Sequence, residues 1–213
     1  MNRTWSGSHE KPHPHVGGCR GGVLATAAVL VGCGTSGTAP SGSATLSSST
    51  AASPTPETNP AGDIPDNQAF VPFTPPTGLF TVSVPEGWAR SSDGAATIFT
   101  DKLNTVRIET RPLATAPNTE SVSVDELPAI ASSTPGYRPG TVTAVQRKAG
   151  PVMLITYQGT SPPNPVTGKT GTDAIEHYEF WRDGREVILT LSGPVGADNV
   201  DPWRTITDSL QWR

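Results

Sequence analysis

The chain has 213 residues, with 15 Lys and Arg against 19 Asp and Glu, a formal net charge of −4 and a hydrophobic fraction of 34%. An acidic balance of this kind argues against a nucleic-acid partner and against electrostatic docking on anionic lipid. The only two cysteines, Cys19 and Cys33, both lie near the start, so any domain further along must be stabilised by packing without a disulfide.

The first recognisable segment is an apolar run from Gly22 to Gly32, preceded by Arg3, Lys11 and Arg20 and ending in Leu30-Val31-Gly32-Cys33. The run is too short to span a bilayer and fits the h-region of a secretory signal. Its final four residues look like a lipobox. In bacterial lipoproteins, which this segment resembles, the cysteine thiol takes a diacylglyceryl group and the leader is cut before it. Residues 1–32 are therefore expected to be removed, leaving Cys33 as the lipidated first residue. Loss of Arg3, Lys11, Arg20 and Glu10 changes the net charge to about −6. Membrane attachment then rests on acyl chains, at about 0.8 kcal/mol per buried methylene. The expected location is outside the cytoplasm, anchored to the outer face of the membrane or in the cell envelope.

Residues 34–62 consist almost entirely of Gly, Ser, Thr, Ala and Pro, with Glu57 the only charge. Such a composition buries too little apolar surface to offset its ordering entropy and is expected to form a disordered tether. Its root-mean-square reach is roughly 30 Å. Residues 63–213 have the length of one domain.

Within that domain Phe80, Val82 and Val84 alternate with Thr81 and Ser83, predicting a half-buried strand that ends at Pro85. Val106 and Ile108 alternate with charged residues in a second strand. A short helix is expected from about Asp125 to Ser133, with Leu127 and Ile130 inward, Pro128 in the first turn and Asp125 as cap. The stretch Val152–Tyr157 is apolar almost throughout and predicts a strand covered on both faces. Asp183-Gly184 predicts a two-residue hairpin turn that sets Arg182 opposite Arg185. Behind it Phe180 faces Val187, Tyr178 faces Leu189 and Glu176 faces Leu191. The other side carries His177 opposite Thr190, Glu179 opposite Ile188 and Trp181 opposite Glu186. A last helix, capped by Asn199 or Asp201 with Pro202 in its first turn, carries Trp203, Ile206, Thr207 and Leu210 on one stripe. Strands, a helix, four more strands and a helix make an antiparallel α+β domain.

The segment Phe80-Thr81-Val82-Ser83-Val84-Pro85-Glu86-Gly87-Trp88 resembles the opening strand and turn of PsbP-like domains, and the ending Ile206-Thr207-Asp208-Ser209-Leu210 resembles their closing helix. With the lipobox and tether, the chain resembles the actinobacterial LpqN/LpqT type of lipoprotein. That resemblance implies an α/β/α sandwich around an antiparallel sheet, with Trp88 plugging the core. It also implies an accessory or binding role, and it carries no catalytic residues.

The chemistry-bearing residues are few. His177 is the one histidine beyond the leader, which excludes a two-His metal site and a Cys-His pair. It stands near Glu179, but no Gly-x-Ser-x-Gly elbow exists to supply a nucleophile. Gly168-Lys169-Thr170 lacks the earlier glycine of a phosphate loop, since position 163 is proline. Ser161–Thr172 is long enough to be a binding loop. Asp173, Glu176 and Glu179 lack calcium-loop spacing and should point to alternating faces. No catalytic residue, metal or cofactor is therefore expected. Tyr157 and Trp181 are the aromatics of interest, and His177, Glu179 and Trp181 would form a binding surface if their face were open. The favoured reading, however, is that the C-terminal helix packs over that face through Trp203 or Trp212. The reading is a lipid-anchored, non-catalytic protein that binds an envelope protein. A lipid or glycolipid carrier with a cavity between sheet and helix is the alternative, and a hydrolase a remote one.

Overall fold

Asp183 and Gly184 both adopt positive φ, 49° and 78°, as a type I′ turn requires, and the hairpin they close fixes the register of the molecule's centre. The computed structural model describes residues 60–164 and 166–213. The leader, the Leu30–Cys33 lipobox and the tether up to residue 59 lie outside the described residues. The strands of the hairpin are β8 (Thr172–Arg182) and β9 (Arg185–Pro194). Their pairing is the one expected, with Phe180 opposite Val187, Tyr178 opposite Leu189, His177 opposite Thr190, Glu179 opposite Ile188 and Trp181 opposite Glu186.

Around this hairpin lies a seven-stranded antiparallel sheet with β9 in the middle. On one side of the hairpin come β5 (Asn104–Pro112), β4 (Ala96–Asp101) and β3 (Ala89–Asp93), and on the other β7 (Gly150–Thr160) and β6 (Arg138–Arg147). A smaller antiparallel sheet places β2 (Phe80–Pro85) between β1 (Phe70–Phe73) and β10 (Gln211–Trp212). Three helical elements complete the fold: α1 (Thr119–Ser121), α2 (Leu127–Ser133) and α3 (Val200–Asp208).

The large sheet separates two cores. One contains Phe80, Val82, Tyr178, Phe180, Val187, Leu189, Leu191, Ile206 and Leu210, where α3 and the small sheet pack on it. The other, on the opposite face, contains Val122 and Ile130 against Met153, Ile155 and Tyr157. β7 is therefore covered on both faces as expected, although it lies second from an edge. Trp88 is half-buried against the larger core. None of the described helices is long and apolar enough to cross a membrane.

One helix boundary differs from expectation for an identifiable reason. The first helical stretch begins at Thr119, not Asp125, because Asn118 caps it: its Oδ1 accepts from the Glu120 and Ser121 amides at 2.9 and 3.0 Å, while its own amide donates to Ser121 Oγ. Between α1 and α2 the chain runs as a π-helix over Val122–Glu126, with the Leu127 amide bonded to the Val122 carbonyl. Pro128, which lacks an amide hydrogen, falls directly after this widened turn, where the ladder of bonds is already shifted.

Asn199 precedes α3 but makes no side-chain cap. Its side chain is committed elsewhere. Oδ1 accepts from the Ile64 amide at 2.8 Å, and Nδ2 donates to the Gly62 carbonyl and to Asn104 Oδ1, both at 3.0 Å. Asn104 Nδ2 donates to the same Gly62 carbonyl at 2.9 Å. This buried clip seats the residues entering the domain against the β9–α3 connection. Gly193 lies beneath it, where any Cβ would collide with the Asn104 and Asn199 side chains.

Asn199→Ala should leave the Ile64 amide and part of Asn104 without partners, at a cost of about 2–4 kcal/mol. Urea unfolding followed by tryptophan fluorescence is expected to show a lower midpoint with an unchanged slope.

Candidate functional site

Strand alternation puts Asp173, Ile175, His177, Glu179 and Trp181 on the face of β8 that turns away from the larger core. Neighbouring strands add Glu186, Ile188 and Thr190 from β9, and Arg107, Glu109 and Arg111 from β5. Asp173 and Glu179 thus share this face while Glu176 points to the other, where it accepts from the Tyr178 hydroxyl at 2.6 Å. The face is covered by the α1–α2 stretch, not by the C-terminal helix. Trp203 and Trp212 pack with the core on the opposite side, so the expected cover through them is corrected.

The contacts are unusually polar for such a buried place. His177 is 6% exposed, Glu179 1% and Glu186 0%. Arg111 links the sheet to the helical cover: its Nε donates to Glu186 in a very close contact, and its Nη2 donates to Glu126 Oε2 at 2.7 Å. Burial works against the Arg111 charge, but the bonds to Glu126 and Glu186 outweigh it and hold its pKa above the ordinary value. Burial pushes the Glu186 carboxyl above the ordinary carboxylate range, and Arg111 offsets this only in part. His177 Nδ1 lies 3.0 Å from Thr190 Oγ1, and its Nε2 lies 3.6 Å from Glu179 Oε1. That second distance is too long for a hydrogen bond. His177 Nε2 and Glu179 Oε1 are therefore buried without partners, and so, separately, is Glu186 Oε1.

Above these groups runs the segment from Leu113 to Asn118, held to the sheet where Trp181 Nε1 donates to the Leu113 carbonyl at 2.8 Å. Trp181 is half-buried and serves as the clasp of this segment. The segment divides a cleft into two adjoining cavities that share Ala116, Pro117, Asn118 and Glu179. One, of about 220 Å³, contains Arg111, Asp125, Glu126 and Glu186. The other, of about 270 Å³, has an apolar wall of Ala149, Pro151, Val152, Met153 and Trp181. His177, Glu179 and Trp181, which the sequence singles out, thus lie along one strand beneath this cleft. Arg111, Glu126 and Glu186 were not singled out. Only their pairing across 15 and 75 residues of chain reveals them.

The Ser161–Thr172 loop lies elsewhere and is bonded within itself: the Gly171 amide donates to Ser161 Oγ at 2.7 Å, and Asn164 Oδ1 accepts from the Val166 and Thr167 amides. It borders a cavity of about 610 Å³ with Lys102, Leu103 and Asp173, whose carboxyl burial raises in pKa. Strand β8, not a helix, follows Gly168-Lys169-Thr170, so no helix terminus faces a phosphate there. Tyr157 is buried in the smaller core beside Tyr137, with ring centres 5.7 Å apart.

No protein-family model and no curated protein matches the chain. Among solved structures it is similar to CyanoP, the cyanobacterial PsbP of Synechocystis sp. PCC 6803, at 11% identity and a TM-score of 0.50, covering 73% of this chain and 100% of that one. It is also similar to the Ran-binding protein Mog1p of Saccharomyces cerevisiae at 11% identity and a TM-score of 0.42, with 68% and 96% covered. LpqN, involved in cell envelope biogenesis of Mycobacterium tuberculosis, is similar at 14% identity and a TM-score of 0.42, with 68% and 91% covered. The likeness to CyanoP shows a PsbP-like α+β fold, as the sequence motifs led one to expect.

Because the Glu186 pKa is raised on folding, the folded chain retains a proton that the unfolded chain has released. The resulting stabilisation is complete below the ordinary carboxylate pKa and is lost as pH rises through the raised value. Replacement by Gln removes this loss. The stability of Glu186→Gln relative to the parent chain should therefore increase as pH rises from about 4 to 7. Urea titrations across that range measure it.

Proposed function

We propose that the chain is an exported, lipid-anchored accessory protein that binds a protein partner through the cleft over β8, without catalysis. The observation that carries this reading is the apolar cavity walled by Pro151, Met153 and Trp181 next to the exposed segment at Thr115 and Ala116. A wall of this size takes one or two side chains of a partner, with a half-buried tryptophan of the kind that anchors interfaces. The leader, the Leu30–Cys33 pattern and the tether composition support anchoring and reach. The absence of catalysis is supported by the placement of His177, which is closed beneath the helical cover and bonded to Thr190.

The lipid-carrier reading is less well supported. Where α3 meets the large sheet, Phe80, Leu189, Leu191, Ile206 and Leu210 are each no more than 1% exposed, so that interface is filled. Each cavity of the cleft falls below the roughly 300 Å³ at which small-molecule sites begin.

Cys33→Ser is expected to move the protein from the membrane to the soluble fraction and to remove the acyl mass, as fractionation and intact-mass measurement would show. Retention at the membrane would contradict the anchor.

A photo-crosslinking residue at Thr115 should form a discrete protein adduct in intact host cells. One at Arg204, exposed on the opposite face, should not. Trp181→Ala should abolish the Thr115 adduct. Equal adducts from both positions would overturn the cleft as the binding surface, and a lipid mass beyond the anchor in native mass spectrometry would favour the carrier.

A further inference from the structure

We propose that Glu126, His177 and Glu179 form a binding site for a divalent transition-metal ion, independently of which partner fills the cleft. Their potential ligand atoms all lie within 4.8 Å of one another, and His177 Nε2 stands 3.6 Å from Glu179 Oε1. Around a tetrahedral ion with bonds of about 2.0–2.1 Å, ligand atoms stand about 3.3 Å apart. The two groups on β8 are thus already near a ligand spacing, and Glu126, within 4.8 Å of both, would close in on the ion as the third protein ligand.

Orphaned atoms give the second, independent reason. The His177 and Glu179 side chains are 8% and 1% exposed, yet His177 Nε2 and Glu179 Oε1 have no partner. A buried ionised carboxylate without a partner is costly, and a polar side chain so enclosed is normally satisfied. Direct pairing of the two does not resolve the deficit, because 3.6 Å is too long for a hydrogen bond. A metal between them satisfies both atoms together.

Charge leads to the same conclusion. Glu126, Glu179 and Glu186 surround a single cation, Arg111. Three carboxyl groups thus face one guanidinium, and a divalent ion would add the positive charge that Arg111 alone does not supply. Arg111 holds Glu126 mainly through Oε2, at 2.7 Å, whereas Oε1 is 3.4 Å from the guanidinium and is the freer oxygen.

The surroundings supply the remaining features of a metal site. The contact of Nδ1 with Thr190 Oγ1, at 3.0 Å, leaves Nε2 as the ring nitrogen facing Glu179, and donation by Nδ1–H would place the lone pair there. The cavity of about 220 Å³ that Glu126 and Glu179 line with Arg111 and Asp125 adjoins the cluster and has room for a water in a fourth position. One imidazole and two carboxylates suit zinc or a neighbouring first-row ion, not calcium, which takes six to eight oxygens.

The test uses the full chain with His9→Gln, His13→Gln and His15→Gln, which leaves His177 as the sole imidazole. One equivalent of Zn²⁺ is expected to shift the His177 Nε2 resonance while Nδ1–H persists. An unshifted ring at excess Zn²⁺ would overturn the site. Glu179→Gln, which removes a buried charge without changing shape, is expected to leave the metal-free Tm equal or higher and to weaken Zn²⁺ binding about 100-fold; Thr190→Val should weaken it about tenfold. If Glu179→Gln kept the full Zn²⁺-induced rise in Tm of the parent chain, the ion would be bound elsewhere and the assignment would fail.

Discussion

The pairing of β8 with β9 is the constraint on which the rest of the structure depends. A slip of one residue in this hairpin would exchange its two faces, because side chains alternate with a period of two. Val187, Leu189 and Leu191, each fully buried in the larger core, would then point at the helical cover. Glu186 and Thr190 would enter the hydrocarbon packed against α3. The two positive φ angles of the Asp183-Gly184 turn therefore do more than connect strands. They determine which side of the sheet is oil and which side holds charge.

Once that choice is made, the two faces obey different rules. The larger core is continuous from Phe80 through Leu189 to Ile206, and its polar bonds lie at the rim, from Arg147 to Tyr178 and Thr207, from Tyr178 to Glu176 and from Ile64 to Asn199. The opposite face combines a small apolar cluster around Ile155 with a charged one around Arg111. Arg111 is 42% exposed at its side chain, so its attraction for the enclosed Glu186 is partly screened and offsets the burial of that carboxyl only in part. Burying it is a cost in stability, and such costs persist where a site requires them.

Local patterns were legible wherever a rule acts over a few residues. The hairpin register could be read from Asp183-Gly184, the stripe of α3 from Trp203, Ile206 and Thr207, and the double cover of β7 from its nearly unbroken apolar run. The fold class followed from the order of these elements. Features that depend on distant parts of the chain were not legible. Asn199 reads as a helix cap, but its side chain is taken by Gly62 and Ile64, more than 130 residues away. Asn118 caps the first helical stretch ahead of the expected Asp125, because the π-helical turn lets the helix start earlier than Pro128 suggested. β1, β3, β4 and β10 are short or polar and carry weak alternation, so they emerge only from their partners. At the site, His177, Glu179 and Trp181 could be placed on one face by counting alternate residues. Glu126 and Arg111 could not, since nothing local predicts that a helix will bring a carboxylate onto that strand.

The charged cluster also lies under the least firmly attached part of the domain. The α1–α2 stretch contributes only Val122 and Ile130 as fully buried apolar residues, against the many that hold α3 and the small sheet to the other face. Leu127 adds a partly buried apolar contact, Arg111–Glu126 a polar one, and the Trp181 bond to the Leu113 carbonyl holds the segment leading into it. Segments with few buried apolar contacts open at lower free energy than the global unfolding. Opening here would separate Glu126 from His177 and Glu179 while leaving β8 and β9 intact, since their register is fixed independently by the turn and the larger core. A ligand held between cover and sheet, whether an ion or a side chain, would therefore stabilise the closed cover in proportion to its affinity. In this fold the occupant of the site and the position of the helical cover are two aspects of a single equilibrium.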